Sequence, residues 1–159
     1  MSFPPNFSWV SEGLLAALAF PGEKEHLQYL VNQGVTYLVS LTAESSPPVK
    51  EVPELKWTQL KIHDFTPPTM EQVEKFLEIV KEAKKKKTAV AIHCAAGRGR
   101  TGTMVACFLV NERHLTAKDA IDVIRELRPG SVETVEQEQL IAEYEQKLRN
   151  EENWKPVKR

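Results

Sequence analysis

Apolar residues recur along the chain with two different periods, and the alternation between them marks out the elements. Short runs rich in valine, leucine, isoleucine and alanine predict five strands, over residues 7–10, 14–17, 35–41, 55–62 and 89–94. The last of these, Ala-Val-Ala-Ile-His-Cys, is unbroken by turn residues and predicts a central strand buried on both faces. Helical spacing covers residues 23–33, 70–86, 99–113, 117–127 and 135–150. Val73, Phe76, Leu77 and Val80 form one buried stripe, and Ala120, Ile121, Ile124 and Leu127 another. Several ends are legible. Thr69 with Gln72, and Thr134 with Gln137, have the spacing of a capping box, in which each side chain satisfies the other residue's backbone N–H. Gly34 follows the first helix, Arg128-Pro129-Gly130 ends the fourth, and the polar, proline-bearing stretch 43–53 predicts a surface loop. Strands interleaved with helices predict an α/β fold with a central mixed, mostly parallel sheet of about five strands flanked by helices.

Composition narrows the function classes. A chain of 159 residues with 42% hydrophobic and 27% charged residues fits one soluble globular domain, taken as residues 1–150 with a polar, solvated tail at 151–159. The net charge of −1 carries no basic excess, so nucleic acid is not an expected partner. No apolar run approaches the roughly 18–20 residues needed to cross a bilayer, and the N-terminus has no leader pattern. A monomer in the cytoplasm, with the nucleus as a second location, is the expectation. Two cysteines are too few for a disulfide framework, and with four histidines and no CxxC they make no zinc pattern. No metal and no cofactor are expected.

The chemistry concentrates in His93-Cys94-Ala95-Ala96-Gly97-Arg98-Gly99-Arg100-Thr101-Gly102, where the buried strand ends and an apolar helix begins. A thiol at that junction lies beside the positive end of the helix dipole and a group of unpaired backbone N–H groups, which bind phosphate and favour thiolate. The glycines let the backbone of Ala95, Ala96, Gly97, Arg98 and Gly99 wrap a tetrahedral anion. Arg100 adds a planar fork that holds two phosphate oxygens at once, and Thr101 a hydroxyl able to donate to the sulfur.

His-Cys, five residues and Arg-Thr resemble the signature of the cysteine-based protein tyrosine phosphatases, matched at every fixed position. The short chain, with Asp64-Phe65-Thr66-Pro67-Pro68 and Arg128-Pro129-Gly130-Ser131, is similar to the atypical dual-specificity phosphatases. The resemblance implies a tyrosine phosphatase fold and a metal-independent enzyme. Its substrates would be phosphorylated proteins, at phosphotyrosine, with phosphoserine and phosphothreonine left open. It implies Cys94 as nucleophile and Asp64, 30 positions earlier, as general acid and then base. Gln137 or Glu133 would direct water in the second step, although Gln137 has an equal claim to a purely capping role. His93 would tune the thiolate.

Position 98 departs from the pattern, because Arg98 stands where the resemblance leads one to expect a bulky apolar residue. Phosphoinositide hydrolysis is the alternative this raises. Gly97-x-Gly99-x-x-Gly102 also satisfies a dinucleotide-binding spacing, but Asp119 and Asp122 fall in a helix where that pattern demands a second strand end. A non-catalytic phosphate-binding module is a further alternative, one with no use for a nucleophile or an acid. Elsewhere the plain structural reading prevails. Cys107 lies in an apolar run and belongs to the core. His26, His63 and His114 are surface or boundary residues, and Lys84–Lys87 suit the negative end of a helix dipole.

Overall fold

Apolar runs bounded by turns become five strands: β1 (Ser8–Ser11), β2 (Leu15–Leu18), β3 (Val35–Thr42), β4 (Lys56–Ile62) and β5 (Ala89–His93). They join in one sheet, ordered β1-β2-β5-β3-β4, in the computed structural model, which describes residues 3–159. β1 runs antiparallel to β2 at one edge, and the other neighbours are all parallel. The helices are α1 (Lys24–Asn32), α2 (Met70–Lys86), α3 (Gly99–Arg113), α4 (Ala117–Leu127) and α5 (Val135–Arg149). Each expected element is present, with ends moved by one residue at most. The consequential shift is at β5, whose ladder stops at His93 and leaves Cys94 in the loop beyond it.

Alternation along the strands sends side chains into two cores. Val90 and Ile92 of β5 join Val39 and Leu41 of β3 under α2, α3, α4 and α5. Ala89 and Ala91 join Leu38, Leu27 and Leu30 on the opposite face, under α1. All residues from Gly99 to Val110 of α3 are buried, so this helix runs through the interior rather than over it. Capping boxes form at Thr69 with Gln72 and at Thr134 with Gln137, as their spacing predicts. The parallel strands all end at one edge of the sheet. There Leu18 and Ser40 flank His93, and the loops after β2, β3, β4 and β5 meet, which is where open α/β sheets place their ligands.

Three expectations need correction. The segment 151–159 is not simply solvated. Trp154 belongs to the main core, stacks on His114 at 5.5 Å between ring centres, and is followed by a Val157 N–H that donates to His114 O at 2.8 Å. An indole offers too much apolar area to leave in water when a helix end lies within reach. His26, expected near the surface, is buried, its Nδ1 accepting from the Glu23 N–H at 3.2 Å as part of the cap of α1. Leu127, assigned to a buried stripe, is 46% exposed at the last residue of α4, whereas Ile124 of the same turn is buried.

Candidate active site

The loop from Cys94 to Arg98 is shaped by what its glycines avoid. Gly97 has φ +76, and a Cβ there would sit 2.7 Å from the Leu18 backbone and 2.7 Å from an Arg128 nitrogen. At Gly99 a Cβ would collide with Glu133 Oε1, and at Gly102 it would lie 2.9 Å from Ser131 and Val132. These positions are glycine because the start of α5 and the Arg128–Val132 turn press against the loop from behind. Ala95, Ala96 and Arg98 face outward, whereas Cys94 is recessed at 3% exposure.

Arg100 is fully buried and held on several sides. Its Nη1 and Nη2 donate to the two carboxylate oxygens of Glu44, at 2.8 and 2.9 Å, and Nη1 also donates to Ile62 O at 2.9 Å. Burial opposes its charge, but the Glu44 hydrogen bonds, with Cys94 and Asp64, raise its pKa above the ordinary arginine value. Glu44 pays the complementary role: the Arg100 hydrogen bonds hold its carboxyl down at about 2. Glu44 lies in the stretch read from sequence as a featureless loop. Only its place just after the end of β3 hinted that it could reach the site.

Asp64 follows β4 and is 46% exposed at its side chain, with Oδ1 accepting from the Phe65 N–H at 2.9 Å and lying 3.5 Å from Arg100 Nη2. It is therefore brought to the same guanidinium whose charge interacts with that of Cys94. Gln137 is buried. Its Oε1 accepts from the Glu133 and Thr134 N–H groups at 2.7 and 3.1 Å, while Nε2 reaches Thr66 O at 3.4 Å. One side chain thus caps α5 and touches the Asp64 loop. Glu133 is exposed, with its carboxylate beside Gly99. The Thr101 hydroxyl is buried and has no hydrogen-bond partner among the described residues, so the expected bond to sulfur is not formed here.

His93 is wholly buried, and its two ring nitrogens have different tasks. Nδ1 lies 3.1 Å from Cys94 O, an acceptor only, so Nδ1 carries the proton. Nε2 then accepts from Ser40 Oγ at 2.5 Å, and Ser40 Oγ accepts from Trp57 Nε1 at 2.8 Å. Desolvation pushes the imidazole down to about 4 and keeps it neutral at neutral pH. Among the described residues no group of His, Cys, Asp and Glu gathers as a metal-ligand set.

Two further supports escaped the sequence reading. Arg128, read only as part of a helix end, is buried and donates to Gly97 O at 2.8 Å. Asn6 donates through Nδ2 to Ala96 O at 3.0 Å, so the segment before β1 also grips the loop.

Comparison with known proteins identifies the family and the fold. The family described as "Swiss Army Knife protein, DSP-PTPase phosphatase domain" matches residues 4–141. Human dual specificity protein phosphatase CDC14C is 31% identical over 140 residues, covering 80% of this chain and 30% of its own length. The chain thus spans less than a third of that relative. The crystal structure of Tk-PTP in its active form superposes with a TM-score of 0.81 at 29% identity, covering 89% of this chain and 97% of that one. That of PTPMT1 in complex with PI(5)P superposes with a TM-score of 0.76 at 18% identity, covering 85% and 92%, and shares the fold.

Proposed function

Because the chain belongs to the DSP-PTPase phosphatase domain family, we propose that it is a protein phosphatase that hydrolyses phosphotyrosine through a phosphocysteine on Cys94. Phosphoserine and phosphothreonine are the further substrates to test. The observation that carries this reading is the convergence on Arg100. Cys94, six positions before it in the chain, interacts with its charge, and Asp64, from a separate loop, stands 3.5 Å from its Nη2. A phosphoryl group held by that fork and the loop amides would lie between nucleophile and acid.

In the first step the Cys94 thiolate attacks phosphorus and the P–O bond breaks, while Asp64 gives its proton to the leaving oxygen. In the second, water attacks phosphorus, Asp64 takes the water's proton, and the S–P bond breaks to return the thiolate. Gln137 Nε2, next to the Asp64 loop and to Gly99, would orient that water. Thr101 would offer its unpartnered hydroxyl to the departing sulfur. The enzyme acts as a monomer in the cytoplasm or nucleus and needs no cofactor in this scheme.

Release of nitrophenol from its phosphate ester tests the scheme directly. Cys94→Ser should abolish release, and Asp64→Asn should slow it by about 10²–10⁴-fold while binding of a phosphopeptide persists. Full turnover in either variant would remove that residue from the mechanism. Arg98 supports a second reading. It is exposed at the rim of the loop, lies against Gly130, and adds a cation that could meet further phosphates of an inositol lipid. A faster rate on soluble phosphoinositides than on phosphotyrosine peptides would favour it.

A further inference from the structure

We propose that Arg128 is the buried cation that stabilises the Cys94 thiolate from beneath the loop, as a positioning residue acting through charge. Its guanidinium, 3% exposed, donates from Nη1 to Asn6 O at 2.8 Å, Ser8 Oγ at 2.7 Å and Ala17 O at 3.1 Å, and from Nη2 to Gly97 O at 2.8 Å. Every acceptor is neutral. Nε is buried without a partner, and no carboxylate pairs with this side chain among the described residues. A desolvated charge compensated only by carbonyl dipoles is costly, so some other negative charge must repay it.

The surrounding charges show where that compensation lies. Arg100, the other buried arginine of the site, is already matched by Glu44 and faces Asp64 as well. Arg98 is exposed, where water screens it, and Glu133 stands beyond Gly99. His93, bonded to the Cys94 carbonyl, is neutral. Among the described residues Arg128 is the buried arginine left without an anion, and it donates to Gly97 O of the loop that starts at Cys94. Burial works against its charge, the Cys94 charge supports it, and Arg98 opposes it.

This inference rests on Cys94 reacting as a thiolate, so its test reads the thiol itself: the pH dependence of alkylation by iodoacetamide, measured on the full chain. Cys107 does not interfere, being fully buried with its thiol pushed far up by desolvation. Ser8→Asp places a carboxylate where Ser8 Oγ now meets Arg128 and neutralises the cation while keeping it bound; Ser8→Ala removes the hydroxyl and leaves the charge. The midpoint of Cys94 alkylation should rise by about one unit or more in Ser8→Asp and in Arg128→Met, and stay at the wild-type value in Ser8→Ala. If Arg128→Met does not fold, Arg128→Lys, which keeps the charge, should stay near the wild-type midpoint while Ser8→Asp still rises. A merely structural Arg128 would leave the Ser8→Asp midpoint unmoved, and that result overturns the proposal. Alkylation does not require turnover, so a chain that hydrolysed no phosphate ester would fail the functional reading and still answer this question.

Discussion

At the scale of single residues, two charges decide how the site behaves with pH. Glu44 holds Arg100 with a carboxyl depressed from 4.5 to about 2, so the clamp persists above the unfolded value of 4.5 and is lost only as pH falls toward 2. Orientation of the guanidinium is therefore constant over the working range. Glu44→Gln should lower kcat/KM by about tenfold, equivalent to about 1.4 kcal/mol, the modest size reflecting a carboxylate 48% exposed to water. Steady-state kinetics on a phosphotyrosine peptide would show it, and an unchanged kcat/KM would remove Glu44 from the site. His93 has the same pH direction, although there it is the neutral form that folding favours. Its folded pKa of about 4 lies below the unfolded 6.5, so folding favours the neutral ring, and stability is present above pH 6.5 and lost as pH falls toward 4. The loss should approach about 3 kcal/mol. Urea unfolding at pH 7 and pH 4.5 should show a smaller difference in His93→Gln than in the wild type.

Among elements, α5 joins two tasks at one N-terminus. Thr134 caps it through the Gln137 N–H at 3.1 Å, and Gln137 closes the box while reaching Thr66. The pair can be separated. Thr134→Ala should cost about 1 kcal/mol of stability and leave turnover per folded molecule intact. Gln137→Ala should in addition give a burst of product followed by an accumulated phosphocysteine, visible by intact mass after acid quench. A burst absent from Gln137→Ala would leave only the cap. Helices α2 and α4 were legible to the residue, because the capping Thr69, the arginine-proline pair after α4 and the apolar periodicity of both act locally. The end of β5 was not, since pairing with β2 and β3 decides where the ladder stops.

Across the whole molecule, one helix links the loop after Cys94 to the far core. α3 starts at Gly99 and ends at Arg113, so Trp154, stacked on His114, lies roughly 20 Å along the helix axis from the site. Trp154→Ala should lower stability by about 3 kcal/mol through lost burial, yet leave kcat/KM of the folded enzyme unaltered. Thermal unfolding and kinetics on the same sample would test both halves, and a variant as stable as wild type would return the tail to solvent. The entry into β1 matters in the opposite place, because Asn6, before the strand, and Ser8, its first residue, meet the loop and Arg128 directly.

What the sequence determined alone was whatever neighbours in the chain decide: helix spans, caps, strand identity, and a loop in which cysteine, glycines and arginine lie within seven residues from Cys94 to Arg100. Asp64, 30 positions from Cys94, came only through the resemblance. Tertiary structure decided the partners that arrive from elsewhere. Glu44 meets Arg100 across 56 positions, Ser40 meets His93 across 53, and Arg128 meets Asn6 across 122. No periodicity encodes such pairs, because each depends on which strand lies next to which and on the burial that makes an unpaired charge too costly to leave.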